Sequence, residues 1–253
     1  MHPVIAQVGP FTLYSYGVLL VIAFVVSTWL AARASRRLPP AQRAIGAEQL
    51  VDCASLALLS GVVGARLFYI ILQRELFLQS PWEALAVWHG GLVWYGGLAG
   101  GLLAAWGYVR WKRLSFLGVL DQFAPFLAVG HAIGRVGCFL NGCCYGKPTG
   151  AWWGVTFPGH AQPVIPTQLL EAAGLIVLSV ALRRLQRGRL AERRGALFGI
   201  YLMGYAVLRF VLEFLRGDQA SGRAGLTLPQ FMSLGVWLVG LWLVVARQAT
   251  SNK

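Results

Sequence analysis

Seven apolar runs, each near the length that crosses a bilayer, constrain this 253-residue chain more than any other feature. A helix rises 1.5 Å per residue, so about 20 apolar residues cross a hydrocarbon core of roughly 30 Å. The runs fall near residues 11–31, 50–72, 92–109, 115–137, 167–182, 196–215 and 227–246, the fifth being short by this measure. Hydrocarbon offers no partner to backbone N–H and C=O groups, so such runs close their own hydrogen bonds as helices. The expected fold class is an all-α membrane protein, a bundle of seven transmembrane helices forming a single domain over 1–253. Only 12% of the residues are charged, against roughly 25% in ordinary soluble domains. That excludes a disordered chain and argues against a water-soluble enzyme. No Lys or Arg precedes the first run, so it reads as a retained anchor and not a cleavable signal peptide.

The 22 Lys and Arg residues outnumber the 9 Asp and Glu, a formal charge of +13. Such a surplus suggests nucleic acid or an anionic surface until its residues are placed. The segments after runs one, three, five and seven hold fifteen of them. These are Arg33, Arg36, Arg37 and Arg43, then Arg110, Lys112 and Arg113, then Arg183, Arg184, Arg187, Arg189, Arg193 and Arg194, and finally Arg247 and Lys253. The opposite side holds Arg74, Lys147, Arg216 and Arg223. Basic loops stay in the cytoplasm, which predicts an outer N-terminus and a cytoplasmic C-terminus. Alternation between loops argues against a nucleic-acid partner, which needs its charge gathered on one face. The longest extramembrane piece, 138–166, is rich in Gly, Pro and Trp and reads as a small cap on the outer side.

Arg66, Arg135 and Arg209 are left inside the runs. An intramembrane charge costs about 2.5–3.5 kcal/mol on insertion scales, so each requires a reason. In the expected topology Tyr16, Arg66, Tyr95, Arg135, Gln168, Glu171, Arg209 and Glu213 share the outer half of the membrane. Taken singly they have ordinary explanations. Arg209 and Glu213 can pair at i, i+4, Arg135 can snorkel from a helix end, and the tyrosines can sit in an interfacial belt. Their common depth favours a positive pocket for an anionic headgroup, because Arg holds a phosphate through two parallel hydrogen bonds. His131 lies four residues before Arg135 and reads as a packed histidine. Asp52 and Asp121, at the opposite ends of their runs, read as structural pairs.

The run His89-Gly90-Gly91-Leu92-Val93-Trp94-Tyr95-Gly96-Gly97-Leu98-Ala99-Gly100-Gly101 repeats small residues at i, i+4, a pattern of close helix packing in membranes. Cys138, Cys143 and Cys144 form no C-x-x-C pair and have no histidine pair beside them, so their spacing is not a zinc pattern. On the outer side they could form a disulfide, which keeps a membrane thiol–disulfide oxidoreductase open as an alternative. A lipid or anion transporter is the other, against which stands the confinement of polar residues to one leaflet. Cys53 reads as packing.

The segment Gly134-Arg135-Val136-Gly137-Cys138-Phe139-Leu140-Asn141-Gly142-Cys143-Cys144-Tyr145-Gly146 resembles the signature of the prolipoprotein diacylglyceryl transferase family. Tyr16-Gly17, Gly64-Ala65-Arg66-Leu67-Phe68-Tyr69, Pro166-Thr167-Gln168-Leu169-Leu170-Glu171, Arg209-Phe210-Val211-Leu212-Glu213-Phe214-Leu215-Arg216 and Leu228-Pro229-Gln230 extend the likeness in order over nearly the whole chain. The resemblance implies transfer of the diacylglyceryl group of phosphatidylglycerol to the lipobox cysteine of a prolipoprotein, in the bacterial inner membrane. A thioether forms and glycerol-1-phosphate leaves. It implies no metal and no organic cofactor. It also implies that Arg135 and Arg209 neutralise the leaving phosphate, and that Asn141, Gly142 and Gly146 approach the headgroup. Glu213 would orient Arg209 or bind glycerol hydroxyls, with Tyr16 and Arg66 lining the same cavity. Tyr95 stands where some members have histidine, and Cys138 and Cys143 stand where others carry asparagine and glutamate. The base that activates the thiol stays open among Tyr95, His131, His89 and the arginine field itself.

Overall fold

The computed structural model describes residues 4–8, 11–40, 43–86, 90–159, 161–188, 190, 193–217 and 225–245. An antiparallel hairpin, β1 (Val4–Val8) and β2 (Phe11–Tyr14), opens the chain. Helices follow: α1 (Ser15–Ser35), α2 (Ala47–Leu72), short α3 (Arg74–Gln79), a 3-10 turn at Pro81–Leu85, α4 (Trp94–Trp111), α5 (Phe116–Asn141), α6 (Thr167–Leu185), α7 (Ala196–Glu213) and α8 (Leu228–Val245). The hairpin corrects the expected start of the first run. Residues 11–14 are extended, with Thr12 opposite Gln7 and Tyr14 opposite Val4, as suits a β-branched and an aromatic side chain on a pleated ribbon. α1 still keeps 21 residues.

The protein is helical and membrane-embedded. α1, α2, α5, α7 and α8 are long and apolar enough to cross a bilayer. α4 and α6, of 18 and 19 residues, have the length but not the same apolar character. Glycine dilutes α4, and Glu171, Arg183 and Arg184 load α6 with charge. α5 runs four residues beyond its expected end at 137, so the segment expected as a cap begins inside a helix.

The chain divides into two compact units, Ala32–Val119 and the combination of Met1–Ala31 with Leu120–Lys253. Within the first unit, α2 and α4 meet along glycines. A Cβ at Gly64 would lie 2.5 Å from the carbonyl oxygen of Gly96, and one at Gly100 would lie 2.5 Å from that of Ser60. The repeated small residues therefore serve backbone-to-backbone packing, the common solution where lipid supplies no hydrophobic drive between helices. Tyr108 donates its hydroxyl hydrogen to Asp52 Oδ2 at 3.3 Å, which gives that aspartate a structural partner.

In the other unit, Gly199 of α7 and Gly240 of α8 approach in the same way. Ala128 and Ala132 of α5 pack on Ala172 and Leu175 of α6, with Tyr205 and Leu208 of α7 closing the cluster. Asp121 accepts the backbone N–H groups of Gly195 at 2.5 Å and Phe198 at 2.8 Å. It thereby satisfies donors that the start of α7 leaves without partners. Pro125 interrupts the ladder of α5, and its carbonyl accepts the Ser179 hydroxyl at 2.7 Å. These contacts set the relative register of α5, α6 and α7.

Gly100→Val should destabilise the protein in detergent by about 1–3 kcal/mol, as overpacking does, seen as a lower thermal midpoint. Gly97→Ala, whose added Cβ meets its nearest atom at 3.4 Å, should be close to neutral.

Candidate active site

Helical spacing sets the site. His131, Arg135 and Cys138 lie at intervals of four and three on α5, and Tyr205, Arg209 and Glu213 at intervals of four on α7. Each set therefore shares a helix face. The first turns of α6 add Thr167, Gln168 and Glu171, all buried. Arg135 Nη2 is 2.9 Å from Glu171 Oε1, and Arg209 Nη2 is 2.8 Å from Glu213 Oε2. Glu213 Oε1 accepts the Thr227 hydroxyl at 2.8 Å, while Arg216 Nε approaches its other oxygen at 3.9 Å. His131 Nε2 is 4.0 Å from Glu171 Oε1, and its ring lies 4.7 Å from that of Tyr205.

Glu171 and Glu213 are 2% and 4% exposed. Against these two carboxylates stand three guanidinium groups, those of Arg135, Arg209 and Arg216. Two of its donors also lack a task. Arg135 Nε and Arg209 Nη1 are buried with no hydrogen-bond partner among the described residues. A buried unmet donor costs the full desolvation of that group, so both are prepared for an acceptor from outside. An apolar cavity of about 320 Å³ opens between α7 and α8, lined by Val207, Phe210, Val211, Leu234 and Trp237.

Past Asn141, which is exposed, the chain reverses through Gly142 at φ +74° and Cys144 at φ +64°. Glycine meets the first of these without strain. Cys144 is held there because Thr167 donates to its carbonyl at 2.7 Å and Gln168 Nε2 to that of Cys143 at 2.5 Å. Gly146 donates its N–H to Ile165 O at 2.8 Å, and a Cβ there would lie 2.7 Å from both Ile165 Cβ and Leu215 O. The structure thus gives Gly146 a packing task. Cys138, Cys143 and Cys144 are free thiols. Hydrogen bonding from Cys138 and the nearby Arg216 charge pull the Cys144 thiol down to about 5 despite its burial, whereas burial pushes that of Cys143 up.

Tyr16, at the start of α1, lays its ring over Gly137, where an added Cβ would meet Tyr16 Cδ2 at 3.2 Å. Its surroundings include Arg135 and all three cysteines. Tyr16, Arg135, Arg209 and Glu213 therefore stand in one unit with Asn141, Gly142 and Gly146. Arg66 and Tyr95 belong to the other. Arg66 is buried on α2, and its guanidinium donates to the carbonyls of Glu83, Ala84 at 3.1 Å, Ala86 at 3.2 Å, Gly90 at 2.5 Å and Gly91 at 3.2 Å. It also lies against the rings of Tyr69 and Phe77. Its donors hold residues 83–86 and 90–91 in place. Tyr95 is the second residue of α4, 60% exposed, with its ring edge-on to Trp94. His89 lies outside the described residues.

Reading from sequence overlooked Tyr205, Arg216 and Thr227 as parts of this cluster, and left Glu171 unpaired. Only Glu171 carried a signal, a carboxylate inside an apolar run. Its partner is on another helix, at no fixed sequence spacing.

A family model described as prolipoprotein diacylglyceryl transferase matches residues 3–246. The chain belongs to this family. Among its curated relatives, the phosphatidylglycerol–prolipoprotein diacylglyceryl transferase of Methylococcus capsulatus is 36% identical over 262 residues, covering 98% of this chain and 96% of that protein. The enzyme of the same name from Parasynechococcus marenigrum is 34% identical, with 97% and 95% covered. That of Cupriavidus pinatubonensis is also 34% identical, with 99% and 94% covered. The likeness to the transferase family thus spans both compact units.

Because Glu171 is buried against a guanidinium, Glu171→Ala should destabilise this transferase by about 3–5 kcal/mol, the cost of stranding a buried charge. Glu171→Ala combined with Arg135→Ala should cost clearly less than the two single changes added, measured as a double-mutant cycle of detergent-solubilised protein.

Proposed function

We propose that this chain transfers the sn-1,2-diacylglyceryl group of phosphatidylglycerol to the thiol of the lipobox cysteine of a prolipoprotein, forming a thioether and releasing glycerol-1-phosphate. The observation that carries this reading is the pair of buried guanidinium donors, Arg135 Nε and Arg209 Nη1, that have no partner among the described residues, in a cluster of three guanidinium groups and two carboxylates. A phosphodiester supplies both acceptors, and its negative charge suits the guanidinium groups. Names of relatives that cover nearly the full chain support the same substrate pair.

The chemistry follows from charge. A sulfur attacks the glyceryl CH2, the C–O bond breaks, and the departing phosphate oxygen gains negative charge. Preorganised cations in a low-dielectric site stabilise that charge more in the transition state than in the ground state. Arg135 and Arg209 do this work, each aimed by its carboxylate, Glu171 or Glu213. Glu213 has a second role open to it at the glycerol hydroxyls. Asn141 and Gly142 approach the headgroup at the end of α5, with Tyr16 lining the same space. The cavity between α7 and α8 takes an acyl chain, since it lies along the helix that carries Arg209. Arg66 supports the loop that leads into α4, and Gly146 supports the turn after α5.

The whole chain acts as one transferase domain in the bacterial inner membrane. Its seven long helices cross the bilayer with the N-terminus outside and the C-terminus in the cytoplasm, and the segment between α5 and α6 caps the outer side. The alternation of basic segments supports this orientation. The site then opens toward the outer leaflet, where a lipobox cysteine arrives after export.

Arg135→Ala and Arg209→Ala should each lower transfer by about 10²–10³-fold, as loss of one oxyanion-type donor does, while the protein still inserts. Mass spectrometry of a lipobox peptide incubated with phosphatidylglycerol vesicles reads the thioether directly. Full activity in both variants sinks the proposed site.

A further inference from the structure

Three thiols converge where α5 ends. Cys138, in the last turn of α5, and Cys143 and Cys144, in the reversal that follows, place their Sγ atoms within 4.8 Å of one another. Among the described residues, no other three His, Cys, Asp or Glu side chains gather so closely. Zinc–thiolate bonds of about 2.3 Å set the sulfurs of a shared ion roughly 4 Å apart, so this cluster needs only a small contraction to receive one. A disulfide would need an S–S distance of about 2.05 Å and would leave the third thiol without a role.

The cluster is held before any ligand arrives. Cys144 is kept at a positive φ that non-glycine residues rarely adopt, by the Thr167 hydroxyl and its neighbour Gln168. Strain retained in this way marks ligand clamps. Three thiolates with a dication carry a net charge of −1, and the arginines beside them suit that sign. Arg135 faces Cys138 and Arg216 faces Cys144. Three protein ligands leave one tetrahedral position open, as in catalytic zinc sites.

We propose that Cys138, Cys143 and Cys144 form a three-thiolate site for one zinc-class divalent cation, whose fourth position takes the thiol of the incoming peptide. The role of that fourth position rests on the transferase reading above. His131, held against Tyr205 and Glu171, is not placed as an evident base for a thiol whose ordinary pKa is about 8.5. A thiol coordinated to the ion is deprotonated outright, its proton passing to solvent. The bound sulfur forms the S–C bond with the glyceryl CH2 as the C–O bond breaks. The electron pair of that bond leaves on the phosphate oxygen, between Arg135 and Arg209. No oxidation state changes, and the thioether product, uncharged at sulfur, is a weak ligand and departs.

Full-length protein purified in detergent and dialysed against zinc should bind one equivalent by elemental analysis. Cys143→Ser should weaken binding at least tenfold and the triple serine variant should abolish it, while Cys53→Ser, in the buried wall of α2, should leave it unchanged. With cobalt in place of zinc, a thiolate-to-metal absorption band should appear and shift when a lipobox peptide is added, but not when its cysteine is replaced by serine. Equal zinc in wild type and triple variant, or recovery of the cysteines as a disulfide without reductant, overturns the site. A cobalt band that ignores the peptide thiol overturns the role of the fourth position. Stoichiometric zinc together with a peptide-dependent shift, but no lipid on the peptide, keeps the metal site and defeats the transferase reading.

Discussion

Two buried carboxylates organise three guanidinium groups, and the rest of the site depends on that arrangement. Glu171 and Glu213 are almost fully enclosed, so in a low dielectric each makes a strong demand for a cation. α5 answers one and α7 the other. The Arg209–Glu213 pair closes within α7, but Arg135–Glu171 joins α5 to α6 and can form only when the helices have a fixed register. Alanine contacts, the Asp121 cap on α7 and the Ser179 bond to Pro125 supply that register. The guanidinium cluster is thus built into the packing of the unit, and an anionic lipid headgroup is the natural complement.

Where the chain leaves the membrane, the same economy of parts recurs. Thr167 and Gln168 at the start of α6 grip the carbonyls of Cys144 and Cys143, so the residues that begin one helix shape the turn that ends another. Glu171 follows one turn later and aims Arg135. One short stretch of α6 therefore positions both Arg135 and the thiol cluster. In the other unit Arg66 holds residues 83–86 and 90–91 through their carbonyls. An intramembrane arginine need not be a ligand. It can be the only side chain with enough donors to satisfy a cluster of exposed carbonyls in a place without water.

Much of this was legible beforehand because it is written in local spacing. The i, i+4 relation of Arg209 and Glu213 and the small-residue repeats of α4 translate directly into contacts. Other features were not. Glu171 is 36 residues from its partner Arg135, and Arg66 spends its donors on backbone that has no side-chain signature. The start of α1 was misjudged because Phe11–Tyr14 is as apolar as a helix turn, and only pairing with β1 distinguishes the two. The cysteine spacing resembles no zinc pattern, since the thiols meet through a left-handed turn and not through a regular loop.

The order of apolar runs and basic segments, by itself, determines that this is a helical membrane protein with arginines in its spans, because bilayer thickness and charge desolvation act on every residue alike. Which arginines keep unspent donors was decided only by the tertiary structure. A guanidinium has five donors, and whether they are free for a substrate depends on the carbonyls and carboxylates that folding brings within 3 Å of them.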